Sequence, residues 1–185
     1  VGRILKLKLD LGLFDNPFPQ KGALKDLHKK EYDVEALKAA RETMTLLKNN
    51  DNILPLSKKA KVLVAGPSAQ DITSLHSSWS FIWQGTDASQ YPEHTQSIKE
   101  AIENKIGKKN VISSAKADYS DPANFDVDQL KKDATNADYI ILCLGEKAYA
   151  ESLGVIDDLT LDKNQLDLAH AAIATGKPVI LVLVE

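Results

Sequence analysis

Apolar residues fall into two patterns along this chain. Val62-Leu63-Val64-Ala65, Val111-Ile112, Tyr139 to Leu144 and Val179 to Val184 are short continuous runs, several rich in β-branched residues. Runs of this kind predict strands buried on both faces. Between them, apolar residues recur at helical spacing: Ile98, Ala101, Ile102 and Ile106; Val127, Leu130 and Ala134; Leu166, Ala169 and Ile173. Asp126 with Gln129, and Asp162 with Gln165, fit capping-box-like starts for the last two helices. Gly107 and Gly176 stand where helices stop, with Pro178 just beyond the second. Strand and helix alternating in this way predict an α/β fold with a parallel sheet covered by helices.

Upstream, Leu37, Ala40, Met44 and Leu47 predict one more helix before the first strand. The extreme N-terminal stretch is ambiguous by pattern, because Leu5, Leu7, Leu9, Leu11 and Leu13 alternate while Val1, Ile4, Leu5 and Leu9 also share a helical face. Leucine and lysine favour helix and β-branched residues are scarce there, so the segment is assigned as helix. Asp15 to Tyr32, punctuated by Pro17, Pro19 and Gly22, reads as a linker.

Two connections are far longer than the usual 2–6 residues or so between strand and helix: Gly66 to His94, and Glu146 to Leu161. Each follows a strand directly and so leaves the carboxyl edge of the sheet, where open parallel sheets bind ligands. The first holds both tryptophans, Trp79 and Trp83, among Ser, Gln and Thr. Flat rings with polar rims suit the C–H face and hydroxyls of a sugar. Buried aromatics are commoner than binding platforms, so the residues alone favour a pair that pins the loop to the core. The second connection carries Glu146 and Glu151, either of which can supply a carboxylic acid for proton transfer. Composition alone favours solvated loop carboxylates for both.

Charge and composition narrow the classes further. With 23 Lys plus Arg against 26 Asp plus Glu and a formal net charge of -3, the chain lacks the basic footprint of a nucleic-acid binder. Cys143 is the only cysteine, which excludes an internal disulfide framework or a Cys-based zinc site. No apolar run approaches the roughly 20 residues that span a bilayer. His28, His76, His94 and His170 show no ligand spacing, so no metal is expected, and Gly66-Pro67-Ser68-Ala69 lacks the three-glycine dinucleotide fingerprint, so no cofactor is expected either. Both chain ends read as cuts.

Taken in order, Thr45 to Asn49, Ile53-Leu54-Pro55-Leu56, Val62 to Ala69, Trp79 to Gly85, Leu144-Gly145-Glu146, Tyr149-Ala150-Glu151 and Thr175 to Val179 resemble the second domain of glycoside hydrolase family 3, the β-glucosidase-like enzymes. The likeness runs from about Glu31 onward. Val1 to Pro17 is similar to the end of the preceding (β/α)8 barrel and its exit into the linker. The resemblance implies a partial αβα sandwich of flavodoxin-like kind over residues 33–185, preceded over residues 1–32 by a barrel remnant and linker. It also implies a retaining β-glycosidase acting on terminal β-linked sugars, in which a barrel aspartate is the nucleophile and a second-domain glutamate is the acid/base.

Glu151 matches the family's acid/base position, and Trp83 the aromatic wall of the aglycone subsite, with Trp79 its neighbour. The match reverses the residue-only preference for Glu151 and Trp83 and leaves Glu146 structural. Ser77-Ser78 stands where many members have Gly-Gly, and Gly154-Val155-Ile156-Asp157 replaces a more usual Gly-Asp, departures that bear on how the Glu151 loop is set. A barrel needs about 250 residues, so the nucleophile's domain is expected to lie outside this chain. The implied partners are a β-glucoside or oligosaccharide and that barrel, and the implied compartment is periplasmic or secreted. The competing class is a non-catalytic carbohydrate-binding or structural α/β module.

Overall fold

The computed structural model describes residues 1–27, 29–114, 117, 119 and 125–185. The chain divides into two compact units, Val1–Leu54 and Pro55–Glu185. In the first, helices α1 (Gly2–Asp10) and α2 (Lys30–Thr43) bury no residue. The N-terminal segment is thus helical, as leucine and lysine propensity suggested. The second helix starts inside the stretch read as linker and stops before Met44 and Leu47, which are 73% and 81% exposed. Leu54 is held by the Asn49 carboxamide, whose Nδ2 donates to Leu54 O at 3.0 Å while Oδ1 accepts from Leu54 N at 2.9 Å.

The second unit is built on strands β1 (Val62–Ala65), β2 (Val111–Ser113), β3 (Tyr139–Gly145) and β4 (Val179–Val184), the predicted runs. All pair in parallel in the order β2-β1-β3-β4. This is the order of the first four strands of a flavodoxin-like sheet. Helices α5 (Val127–Ala134) and α6 (Lys163–Ala174) meet one face, where Leu130, Leu168 and Ala172 pack with Leu63, Ile140, Leu142 and Leu144. On the other face Ile98, Ile102 and Ile106 of α4 (Ile98–Ile106) pack on Val62, Val64, Ile141 and Cys143. A further short helix, α3 (Ile72–His76), lies within the first long connection.

β1 and β3 are buried on both faces, but β4 is not. Leu181 and Leu183 remain 51% and 39% exposed, because β4 is the edge strand and the helix layer stops short of that part of its face. In α6 the buried face is also one step from the expected one. Gln165, Leu168, Ala171 and Ala172 are buried, while Leu166 and Ile173 are 40% and 65% exposed. The displacement follows from Gln165, a polar residue in the buried stripe. Its Oε1 accepts from Gly145 N at 3.0 Å and its Nε2 donates to Gly145 O at 2.9 Å.

That engagement also explains why the expected capping box of α6 does not form. Asp162 makes no side-chain cap bond, and the Gln165 side chain is turned to β3. In α5 only half of the box forms: Asp126 accepts from Gln129 N, whereas the Gln129 side chain donates to Asp133. The complete box is at α4, from Ser97 and Glu100.

Gly145 leaves no space for a side chain, since a Cβ there would lie 2.1 Å from Val184 O, so β3 and β4 close tightly at their carboxyl ends. The Gln165 clamp therefore fixes the point from which the second long connection departs. Gln165→Leu should destabilise the chain by roughly 2–4 kcal/mol despite adding an apolar residue to a buried face, because both polar groups of Gly145 lose their partner. A fall in the urea midpoint, compared with an unchanged midpoint for Leu166→Ala on the exposed side of α6, checks this.

Candidate active site

The two long connections leave the same carboxyl edge and meet there. Gln84, in the connection after β1, donates from Nε2 to Ala150 O at 3.4 Å, and its Oε1 accepts from Ala150 N at 2.9 Å, in the connection after β3. Trp83 and Glu151 are the chain neighbours of the two clamped residues. The structure thus brings together the loops that carry the candidate residues.

Each loop is mounted locally. Trp79 N donates to Trp83 O at 3.0 Å, closing the tryptophan segment into a tight turn. Tyr91, only 6% exposed, donates from its hydroxyl to Gly85 O at 2.9 Å. Its ring packs on Phe81 and His76, each with centroids 4.9 Å away. Gly85 has φ +74, and a Cβ there would meet Ser77 O at 2.3 Å, so the turn passes too close to Ser77 for any side chain. Tyr91, not a tryptophan, is the buried aromatic of this loop, and it ties the loop's own segments together.

Trp79 and Trp83 are 68% and 52% exposed, with ring centroids 6.3 Å apart and planes inclined by 48°. The residue-only preference for a core pin therefore fails for both. They form an open pair of aromatic faces. Glu151 is exposed and opens a short 3-10 turn, Glu151–Gly154. Glu146 is also exposed and accepts from the Tyr149 hydroxyl, which raises the tyrosine pKa, first through that hydrogen bond.

Neither Glu151 nor either tryptophan lines the cleft of about 210 Å³ beside the exit of β3. That cleft is walled by Gly145, Glu146, Tyr149, Leu153, Leu161 and Gln165, among others. The Cys143 thiol lies inside β3, where burial pushes its pKa up to about 12 and keeps it protonated. Among the described residues no three His, Cys, Asp or Glu side chains gather in a way that could hold a metal ion.

Backbone conformation singles out the same two loops. Ser77, Trp79 and Glu151 all have positive φ, at 59°, 56° and 56°. Such conformations cost a residue with a side chain on the order of 1–3 kcal/mol and concentrate at functional sites. The only other non-glycine examples among the described residues are Asp51 and Asn52, in the turn closed by Asn49.

Residues 44–185 match the glycosyl hydrolase family 3 C-terminal domain. The chain belongs to this family. A lysosomal beta glucosidase of Dictyostelium discoideum is 38% identical over all of this chain and 24% of its own length. A periplasmic beta-glucosidase of Salmonella typhimurium is 29% identical over 98% of the chain and 26% of its own. The crystal structure of a beta-glucosidase from Listeria innocua in complex with isofagomine superposes with a TM-score of 0.78 at 28% identity, covering 98% of this chain and 24% of that one. The chain thus spans about a quarter of the length of these family 3 relatives.

Gln84 and Tyr91 escaped the sequence reading as site residues, although Gln84 stands directly between Trp83 and Gly85. Ser77, which stands where many family 3 members have glycine, bears on how the loop is set. It has φ 59° and ψ -170°, a region occupied almost solely by glycine. Ser77→Gly should therefore stabilise the chain by about 1 kcal/mol, the relieved strain outweighing the extra unfolded-state entropy of glycine. The urea midpoint should rise, and a fall would show that the Ser77 conformation carries no strain.

Proposed function

We propose that this chain is the acid/base-bearing part of a retaining β-glycosidase, β-glucosidase-like, that hydrolyses terminal β-linked sugars. The observation that carries this reading is the junction of the Trp83 loop and the Glu151 loop through Gln84 and Ala150, in a chain similar over its whole length to two β-glucosidases. Glu151 protonates the leaving oxygen in the first step and activates water in the second. Trp83 packs its face against the leaving-group sugar, and Trp79 extends that apolar wall.

The nucleophile is supplied by a barrel domain in the rest of the protein, and residues 1–32 are the end of that barrel and the linker from it. Retention requires the two carboxyls to stand about 5–5.5 Å apart, so the complete site forms where the barrel meets the edge that carries Glu151. A compartment outside the cytosol is supported by the names of the two relatives, one periplasmic and one lysosomal, and a periplasmic or secreted setting is the reading adopted.

In the full-length protein, Glu151→Ala should slow hydrolysis of substrates with poor leaving groups by about 10²–10⁴-fold, and that of an activated aryl β-glucoside far less in the glycosylation step. Azide should partly restore turnover of the activated substrate, because an anion needs no general base to attack the glycosyl intermediate. Equal losses across leaving groups with no azide effect would reject Glu151 as the acid/base. A purified chain of these 185 residues should release no aglycone from an aryl β-glucoside, since Glu151 can donate a proton but has no partner to form the intermediate. Turnover abolished by Glu151→Gln would place the nucleophile in this chain. Binding of a glucoside without hydrolysis by the full-length protein would favour the non-catalytic module.

A further inference from the structure

We infer that Gln84 is the positioning residue for Glu151, an inference that rests on the reading of Glu151 as the acid/base. Ala150 is extended, with φ -139° and ψ 154°, and its N–H and C=O therefore point to the same side of the chain. The single Gln84 carboxamide takes both. The N–H bond fixes the peptide plane entering Ala150, and the C=O bond fixes the plane shared with Glu151. With that plane held and Glu151 confined to φ 56°, the direction in which the Glu151 side chain leaves the backbone is determined.

The clamp is itself firmly mounted. Gln84 lies between Trp83, whose carbonyl is bonded by Trp79 N, and Gly85, whose carbonyl is bonded by the buried Tyr91 hydroxyl. No side chain at position 85 would fit, so the segment has little room to shift. Ala150 is 6% exposed, which leaves solvent a poor substitute for the carboxamide. The same side chain thereby sets the spacing between the Trp83 wall and the Glu151 carboxyl: an aglycone resting on Trp83 meets the acid at a separation dictated by the length of one glutamine.

Two measurements test this together. In the 185-residue chain, amide hydrogen exchange at Ala150 should speed up about tenfold or more in Gln84→Ala, with the helices and strands unchanged. In the full-length protein, Gln84→Ala should lower kcat/KM for a poor-leaving-group β-glucoside by roughly 10–100-fold, while an activated aryl β-glucoside loses at most a few-fold. Gln84→Glu retains the acceptor and regains the donor when protonated, so it should restore the poor-leaving-group rate in part, more so at acidic pH.

Unchanged Ala150 exchange in Gln84→Ala would show that the clamp does not hold the loop and would overturn the inference. Faster exchange with equal losses on both substrates would overturn it too, leaving Gln84 a fold-stabilising residue only. Failure of the reading beneath it is seen separately: Glu151→Ala would then show no leaving-group dependence, while the exchange measurement would still report the clamp.

Discussion

The burial of β3 on both faces from Ile140 to Gly145 is the constraint on which the rest of the second unit depends. Ile140, Leu142 and Leu144 face one helix layer and Ile141 and Cys143 the other, each almost without exposure. A strand buried on both faces has no freedom to slip in register, because a one-residue shift would exchange its two packed faces. Its end is consequently a fixed point. Gln165 extends that fixity one residue further by holding both backbone groups of Gly145 where the strand gives way to the Glu146 to Leu161 connection.

Outside the strands, three carboxamides each fix the backbone of a single residue. Asn49 on Leu54, Gln84 on Ala150 and Gln165 on Gly145 each satisfy the N–H and the C=O of a single residue. A carboxamide can do so because it holds a donor and an acceptor side by side, so it imitates a neighbouring strand over one residue without requiring a strand to be there. At the carboxyl edge this allows an exposed tryptophan pair and an exposed glutamate to sit on defined backbone without a core beneath them. The positive φ of Ser77, Trp79 and Glu151 is sustained in the same way, by surrounding bonds rather than by local preference. An open, exposed arrangement of this sort is suited to a site completed by another surface.

Much of the architecture was legible. The four apolar runs became four parallel strands, and three of the helical spacings became α4, α5 and α6, because long apolar segments bury in essentially one way. What misled was local. Leu166 and Ile173 fit the helical period of α6 as well as Leu168 and Ala172 do, and only the placement of Gln165 against Gly145 chose between the faces. Likewise Trp79 and Trp83 resembled core aromatics, but the aromatic buried in that loop is Tyr91.

The amino-acid sequence by itself determined the fold class, the family and the two long loops that leave the carboxyl edge, since those depend on hydrophobic periodicity, loop length and motif order. Tertiary structure alone decided that the loops are joined, by which atoms, and in what backbone conformation. Gln84 and Ala150 are 66 positions apart, and nothing in the spacing of a glutamine and an alanine encodes a pair of hydrogen bonds between them. That contact exists because two strands, β1 and β3, lie side by side in parallel and release their loops at the same edge.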